Sequence, residues 1–166
     1  MNTRRKLIAS ATAVVMFTLG LAIEGQSQEG RPIKRALEGS WRVSGDLGPN
    51  RPPFVPATIE GLATYDAGGG FILSDNQPNL PPAHGSWEYA GHGTFNTTLV
   101  KFLLNPQGQL VATLHVRSRI TLNSTTRDEW TDEGEAEIRE FPSGVVLAAY
   151  NGVTSVATRI RVEPIE

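Results

Sequence analysis

From residue 37 onward, apolar residues recur at every second position between runs of glycine and proline, and the three-to-four-residue spacing of an amphipathic helix is absent. The alternation predicts strands over 38–45, 57–66, 70–75, 84–90, 93–104, 109–123, 127–140, 145–150 and 153–163. Eight or nine short strands at this spacing read as an all-β barrel or sandwich. Most links are tight-turn sequences: "DAGGG", "AGHG", "NPQG", "FPSG" and "NG". Asn151-Gly152 is the strongest hairpin signal of the set, because both central positions of such a turn take positive φ. Two links are longer and proline-rich, "GPNRPPFVP" and "NQPNLPP". They are expected to be ordered surface loops at a barrel mouth.

The turns set an expected register. If "AGHG" pairs Tyr89 with Thr94, Trp87 faces Asn96. If "NPQGQ" closes Leu104 onto Leu110, Phe102 faces Ala112, Val100 faces Leu114 and Asn96 faces Ser118. If the next pair closes around Ser124-Thr125-Thr126, Ser118 faces Asp132 and Val116 faces Gly134. Apolar residues then gather on one face, and a one-residue slip would turn them all outward. The expected interior holds Val100, Phe102, Leu114 and Val116, with Tyr65 and Trp130 beside them. A row of polar or amphipathic residues, Trp87, Asn96, Ser118 and Asp132, crosses it. The other face carries Arg117 opposite Glu133 and His115 opposite Glu135, so "DEGEAE" reads as a solvated, charge-paired face.

The N-terminus is a different kind of sequence. "MNTRRK" is basic, Leu7 to Ile23 is uncharged and apolar, and small residues follow Glu24. This is the pattern of a secretory signal over residues 1–27, with 28–36 as a linker and 37–166 as the barrel domain. An uncleaved anchor is the competing expectation, since the apolar run reaches the lower limit for crossing a bilayer. Thr3-Arg4-Arg5-Lys6-Leu7-Ile8 fits a twin-arginine signal as well as a general secretory one. Cleavage would leave a periplasmic or extracellular protein with no integral membrane span.

The chain has no cysteine, which excludes disulfides, thiol catalysis and thiolate metal sites. About 140 residues remain to build the stabilising core. Removing the signal takes the formal charge from −2 to −4, which argues against nucleic acid as a partner. The histidines, His84, His92 and His115, are spaced against a shared metal ion: His84 and His92 would lie roughly 26 Å apart along one strand. No Gly-x-Ser-x-Gly elbow and no phosphate-loop Lys is present, so neither a hydrolase triad nor a cofactor is called for.

Gly39-Ser40-Trp41 resembles the Gly-x-Trp motif on the first strand of lipocalins and their calycin relatives. In that family the Trp closes one end of an eight- or nine-stranded barrel, and a basic residue near the chain's end packs over it. The resemblance implies a single antiparallel up-and-down barrel with Arg159 or Arg161 over Trp41. The loop motif and disulfides of lipocalins are absent here, so no ligand identity carries over. Allene-oxide-cyclase-like and dirigent-like barrels fit the same strand count. The chain is also similar in style to small exported bacterial proteins carrying "HGxW", "GTF" and a terminal "TRIRVEP", a likeness that implies no activity.

The expectation is therefore a barrel that binds a small, mostly apolar molecule in its lumen, oriented by Trp87, Asn96, Ser118 and Asp132. Two alternatives stand beside it. One is an isomerase or cyclase using Asp132 as its acid–base group. The other is a structural or interaction module whose barrel is filled with side chains. A lumen below the ~300 Å³ typical of ligand sites would count against binding there.

Overall fold

In a computed structural model that describes residues 32–165, the chain folds into one closed antiparallel barrel. The strands are β1 (Gly39–Asp46), β2 (Thr58–Tyr65), β3 (Gly70–Asp75), β4 (Ala83–Gly91), β5 (Thr94–Leu104), β6 (Leu110–Leu122), β7 (Glu129–Glu140) and β8 (Val146–Arg159). Each pairs with the next in sequence, and β1 closes on β8. Strand count resolves to eight because Asn151-Gly152 makes no hairpin. β8 runs straight through it, and Gly152, at φ +84°, is the extra residue of a bulge against Gly134 and Glu135 of β7. The Asn-Gly pair supplies positive φ to a bulge instead of a turn.

The proposed signal segment and residues 28–31 of the expected linker lie outside the described residues. The rest of that linker is structured: Ile33–Arg35 forms a 3-10 turn that leads Ala36 and Leu37 into the core. Among the described residues no helix is long and apolar enough to cross a membrane.

Two bulges overturn part of the expected register. The β4–β5 turn contains only His92 and Gly93, both at positive φ, so Gly91 pairs with Thr94 and Tyr89 with Phe95. Leu104 does pair with Leu110, but the register shifts there, and Leu103 pairs with Ala112. The parity of β5 is therefore reversed. Phe95, Thr97, Leu99, Lys101 and Leu103 face inward, whereas Asn96, Val100 and Phe102 face out. Thr97, not Asn96, pairs with Ser118. On β6 and β7 the expected faces are correct and the pairing is shifted by two: Ser118 pairs with Gly134 and Val116 with Ala136. Asp132 pairs with Ile120, and Trp130 with Leu122. On the outer face Arg117 pairs with Glu135 and His115 with Glu137; Arg117 bridges Glu135 at 3.0 Å and Glu137 at 2.8 Å. His84 and His115 flank Val100 there.

The barrel's two ends differ in chemistry. At one end lie the 3-10 turn, the starts of β1 and β5 and the short β2–β3, β4–β5 and β6–β7 turns. An aromatic cluster fills it. Tyr65 stacks on Phe71 at 4.8 Å, Trp87 meets Phe95 at 5.7 Å, and Trp41 meets Trp130 at 6.1 Å. Gly85 is needed here: a Cβ would sit 2.2 Å from the Phe71 ring. At the other end lie both proline-rich links, 48–56 and 76–82, with the β5–β6 and β7–β8 turns.

Candidate ligand site

The closed end is held by Arg159. Its guanidinium carbon lies 4.0 Å above the Trp41 ring. Nη1 donates to the Glu38 carbonyl at 2.8 Å, and Nη2 to the carbonyls of Ala36 at 2.5 Å and Arg127 at 3.0 Å. Trp41 Nε1 donates to the Leu37 carbonyl at 2.9 Å. A planar fork of donors over an aromatic face suits this task, and a lysine could not reproduce it. Arg161, the other residue considered for this position, is on the surface and pairs with Asp128.

Above this plug, inward polar residues form a row across β5 to β8: Thr97, Ser118, Asp132 and Ser155. Thr97 Oγ1 and Ser118 Oγ are 2.8 Å apart, and Ser118 Oγ donates to Asp132 Oδ2 at 3.0 Å. Ser155 lies directly across the strand pair from Asp132. Among the described residues, Asp132 Oδ1 and the neighbouring Trp130 Nε1 are buried without a hydrogen-bond partner. Burial pushes the Asp132 carboxyl above its ordinary range, and hydrogen bonds from Ser118 and Ser155 oppose the shift. Burial, followed by the charge of Asp132, also pushes the Tyr65 hydroxyl up. Trp87 is outside this row. Its ring belongs to the aromatic cluster, and its Nε1 donates to the carbonyls of Asp66 at 3.1 Å and Gly70 at 3.2 Å.

Nearer the open end, Lys101 and Asp75 form an ion pair with Nζ to Oδ2 at 2.5 Å. Both side chains are about 95% buried, at 4% and 5% exposure. Gln77 supports Asp75, its backbone N–H donating to Oδ1 at 3.2 Å and its side chain to Oδ2 at 3.4 Å. The expected inward placement of Val100 and Phe102 would have turned Lys101, between them, to the outside. A lysine inside the apolar run "TTLVKFLL" gives no sign of burial without its partner, which lies on β3.

The lumen between plug and ion pair is narrow. Its free volume is about 70 Å³, lined by Leu114, Val116, Ser118, Asp132 and other inward residues. That is well below the ~300 Å³ of a typical ligand site, so the mid-barrel is a largely filled core with a polar row. Asn96, Val100 and Phe102 take no part in it. Asn96 Nδ2 donates to Glu88 on the surface, and Phe102 is 50% exposed.

Beyond the ion pair the barrel widens into a mouth of about 450 Å³. Phe54, Val55 and Pro56 line it from the first long link, Leu80 from the second, and Leu103 and Leu147 from β5 and β8. Lys101, Gln77, Leu47 and Leu114 border both the mouth and the lumen. The long link is fixed in place: Arg51 donates to the carbonyls of Val55 at 3.1 Å and Gly48 at 3.0 Å, and Leu47 N–H donates to Ala57 at 2.8 Å. Phe54 and Leu147 are nonetheless 74% and 59% exposed.

No protein-family model matches the sequence, and no curated protein does. Among solved structures the chain is similar to that of EF1p2_mFAP2b bound to DFHBI, with a TM-score of 0.50 and 13% identity over 76% of this chain and 95% of that one. At that identity the likeness is one of fold: a barrel resembling one that holds a small molecule.

Proposed function

We propose that this protein is a calycin-like binding protein that takes a small, mostly apolar molecule in the mouth of its barrel. The observation that carries this reading is the mouth itself, about 450 Å³ and lined by apolar side chains from both long links and from β5, β6, β7 and β8. Apolar pockets of this size with a few convergent polar groups are the usual form of a small-molecule site. Exposed Phe54 and Leu147 at its rim carry an energetic cost that an apolar occupant removes. The barrel it resembles in fold is bound to DFHBI. The signal pattern over residues 1–27 supports a reading in which the protein is exported and works outside the cytoplasm. The isomerase or cyclase alternative is not favoured, because the space beside Asp132 is too small for a substrate.

The test is a titration with an apolar, environment-sensitive fluorophore. Wild type should show one saturable site, and Phe54→Ser/Leu147→Ser should weaken it by about tenfold. An unsaturable signal, or equal affinity in the variant, would refute binding at the mouth.

A further inference from the structure

The proposed site has a floor, and its chemistry limits what can bind. Lys101 borders both mouth and lumen, and its ammonium has three N–H donors. Among the described residues its hydrogen-bond acceptor is Asp75 Oδ2 alone. Two donors of a buried cation are thus without a protein acceptor at the base of an apolar pocket. Asp75 is in the opposite condition: Oδ2 accepts from Lys101 and from the Gln77 side chain, and Oδ1 from the Gln77 backbone. The floor therefore offers the spare donors of Lys101, while Asp75 has little acceptor capacity left.

Its charge matters as much. Lys101 and Asp75 neutralise each other at 2.5 Å. A ligand carboxylate reaching Lys101 would bring a second negative charge close to Asp75, away from water and without a second cation. Like charges in such a setting repel strongly. A neutral acceptor, such as a ketone, ester or amide carbonyl, gains the hydrogen bond without that repulsion.

Resting on the mouth as the binding site, we infer that the preferred ligand class is a neutral, mostly apolar molecule with a carbonyl-type acceptor at its inner end, received by Lys101. Hydrocarbons lack the acceptor and leave the spare donors unmet. Fatty or aromatic carboxylates carry the wrong charge.

Displacement of the bound fluorophore by benzylacetone, butylbenzene and hydrocinnamate tests this, since the three share a phenyl-alkyl body and differ at the head. Benzylacetone should bind about tenfold more tightly than butylbenzene, and hydrocinnamate more weakly than benzylacetone. In Asp75→Leu/Lys101→Met, which removes both charges together, the advantage of the ketone over the hydrocarbon should vanish. If butylbenzene binds as well as the ketone, or hydrocinnamate binds best, the inference falls while the mouth stands as an apolar site. If none of the three displaces the fluorophore, both fall. The comparison within wild type decides the matter even if the double variant does not fold.

Discussion

Lys101 and Asp75 meet inside the barrel, joined at 2.5 Å from positions 26 residues apart on β5 and β3. Neither β5 nor β3 is complete without the other, because each would bury an unpaired charge. Lys101→Met alone should therefore destabilise the fold by about 3–5 kcal/mol, the usual cost of stranding one member of a buried pair. Asp75→Leu/Lys101→Met should recover most of that loss. Urea unfolding of the single and double variants measures both. A single variant as stable as wild type would show that the pair is not buried in solution.

Arg159 and Arg161 provide a matched comparison at the closed end. Arg159→Ala removes three hydrogen bonds to backbone carbonyls, two of them buried, and the stacking on Trp41, and should cost about 2–4 kcal/mol. Arg159→Lys should recover only part of it. Arg161→Ala removes a solvent-exposed pair and should change stability by less than about 0.5 kcal/mol. Equal effects at the two positions would contradict the end-plug assignment.

Asp132 should make stability depend on pH in an uncommon direction for a carboxylate. Its folded pKa is raised, so at pH values between the ordinary value of ~4 and the raised folded value the folded protein holds a proton that the unfolded chain has released. Stability from this group is full below pH ~4 and is lost as pH rises through the folded value. Asp132→Asn should accordingly raise the melting temperature at pH 7 by a few degrees and have little effect at pH 4. A variant that is less stable at pH 7 would mean that the carboxylate is stabilised by its hydroxyl partners.

Gly85 and Gly152 are required for different reasons. Gly85→Ala drives a methyl into the Phe71 ring and must disturb the aromatic plug, at about 1–3 kcal/mol. Gly152→Ala meets no atom closer than 3.4 Å, but forces a side chain onto φ +84°, at about 1–2 kcal/mol. Thermal unfolding should show Gly85→Ala also altering the near-ultraviolet aromatic signal, and Gly152→Ala leaving it intact.

The first seven strands, the up-and-down order and the two proline-rich links at one end were legible in the alternation and the turn residues, whereas the Asn151-Gly152 signal split β8 in two. So was the inward placement of Ser118 and Asp132, because β6 and β7 carry no bulge between them. What sequence could not show was the parity of β5. It depends on residues skipped beside Gly91 and at Val111, and a bulge leaves no distinct mark where apolar residues stand on both faces, as in "FNTTLVKFLL". That one reversal exchanged Asn96 for Thr97 in the polar row and hid Lys101. The triplets Gly39-Ser40-Trp41 and Gly85-Ser86-Trp87 show the same limit. Trp41 and Trp87 share a local sequence, yet Trp41 lies under Arg159, and Trp87 packs beside Tyr65 and Phe95.

The location of the ligand site is the central claim, and two-dimensional amide NMR with a saturating apolar fluorophore tests it most directly. The account predicts saturable shifts at Phe54, Leu103, Val111 and Leu147 around the mouth, with Trp41, Trp87 and the outward residues Asn96 and Thr98 unmoved. Shifts centred on the closed end or the outer face, or no saturable shift at all, would contradict it.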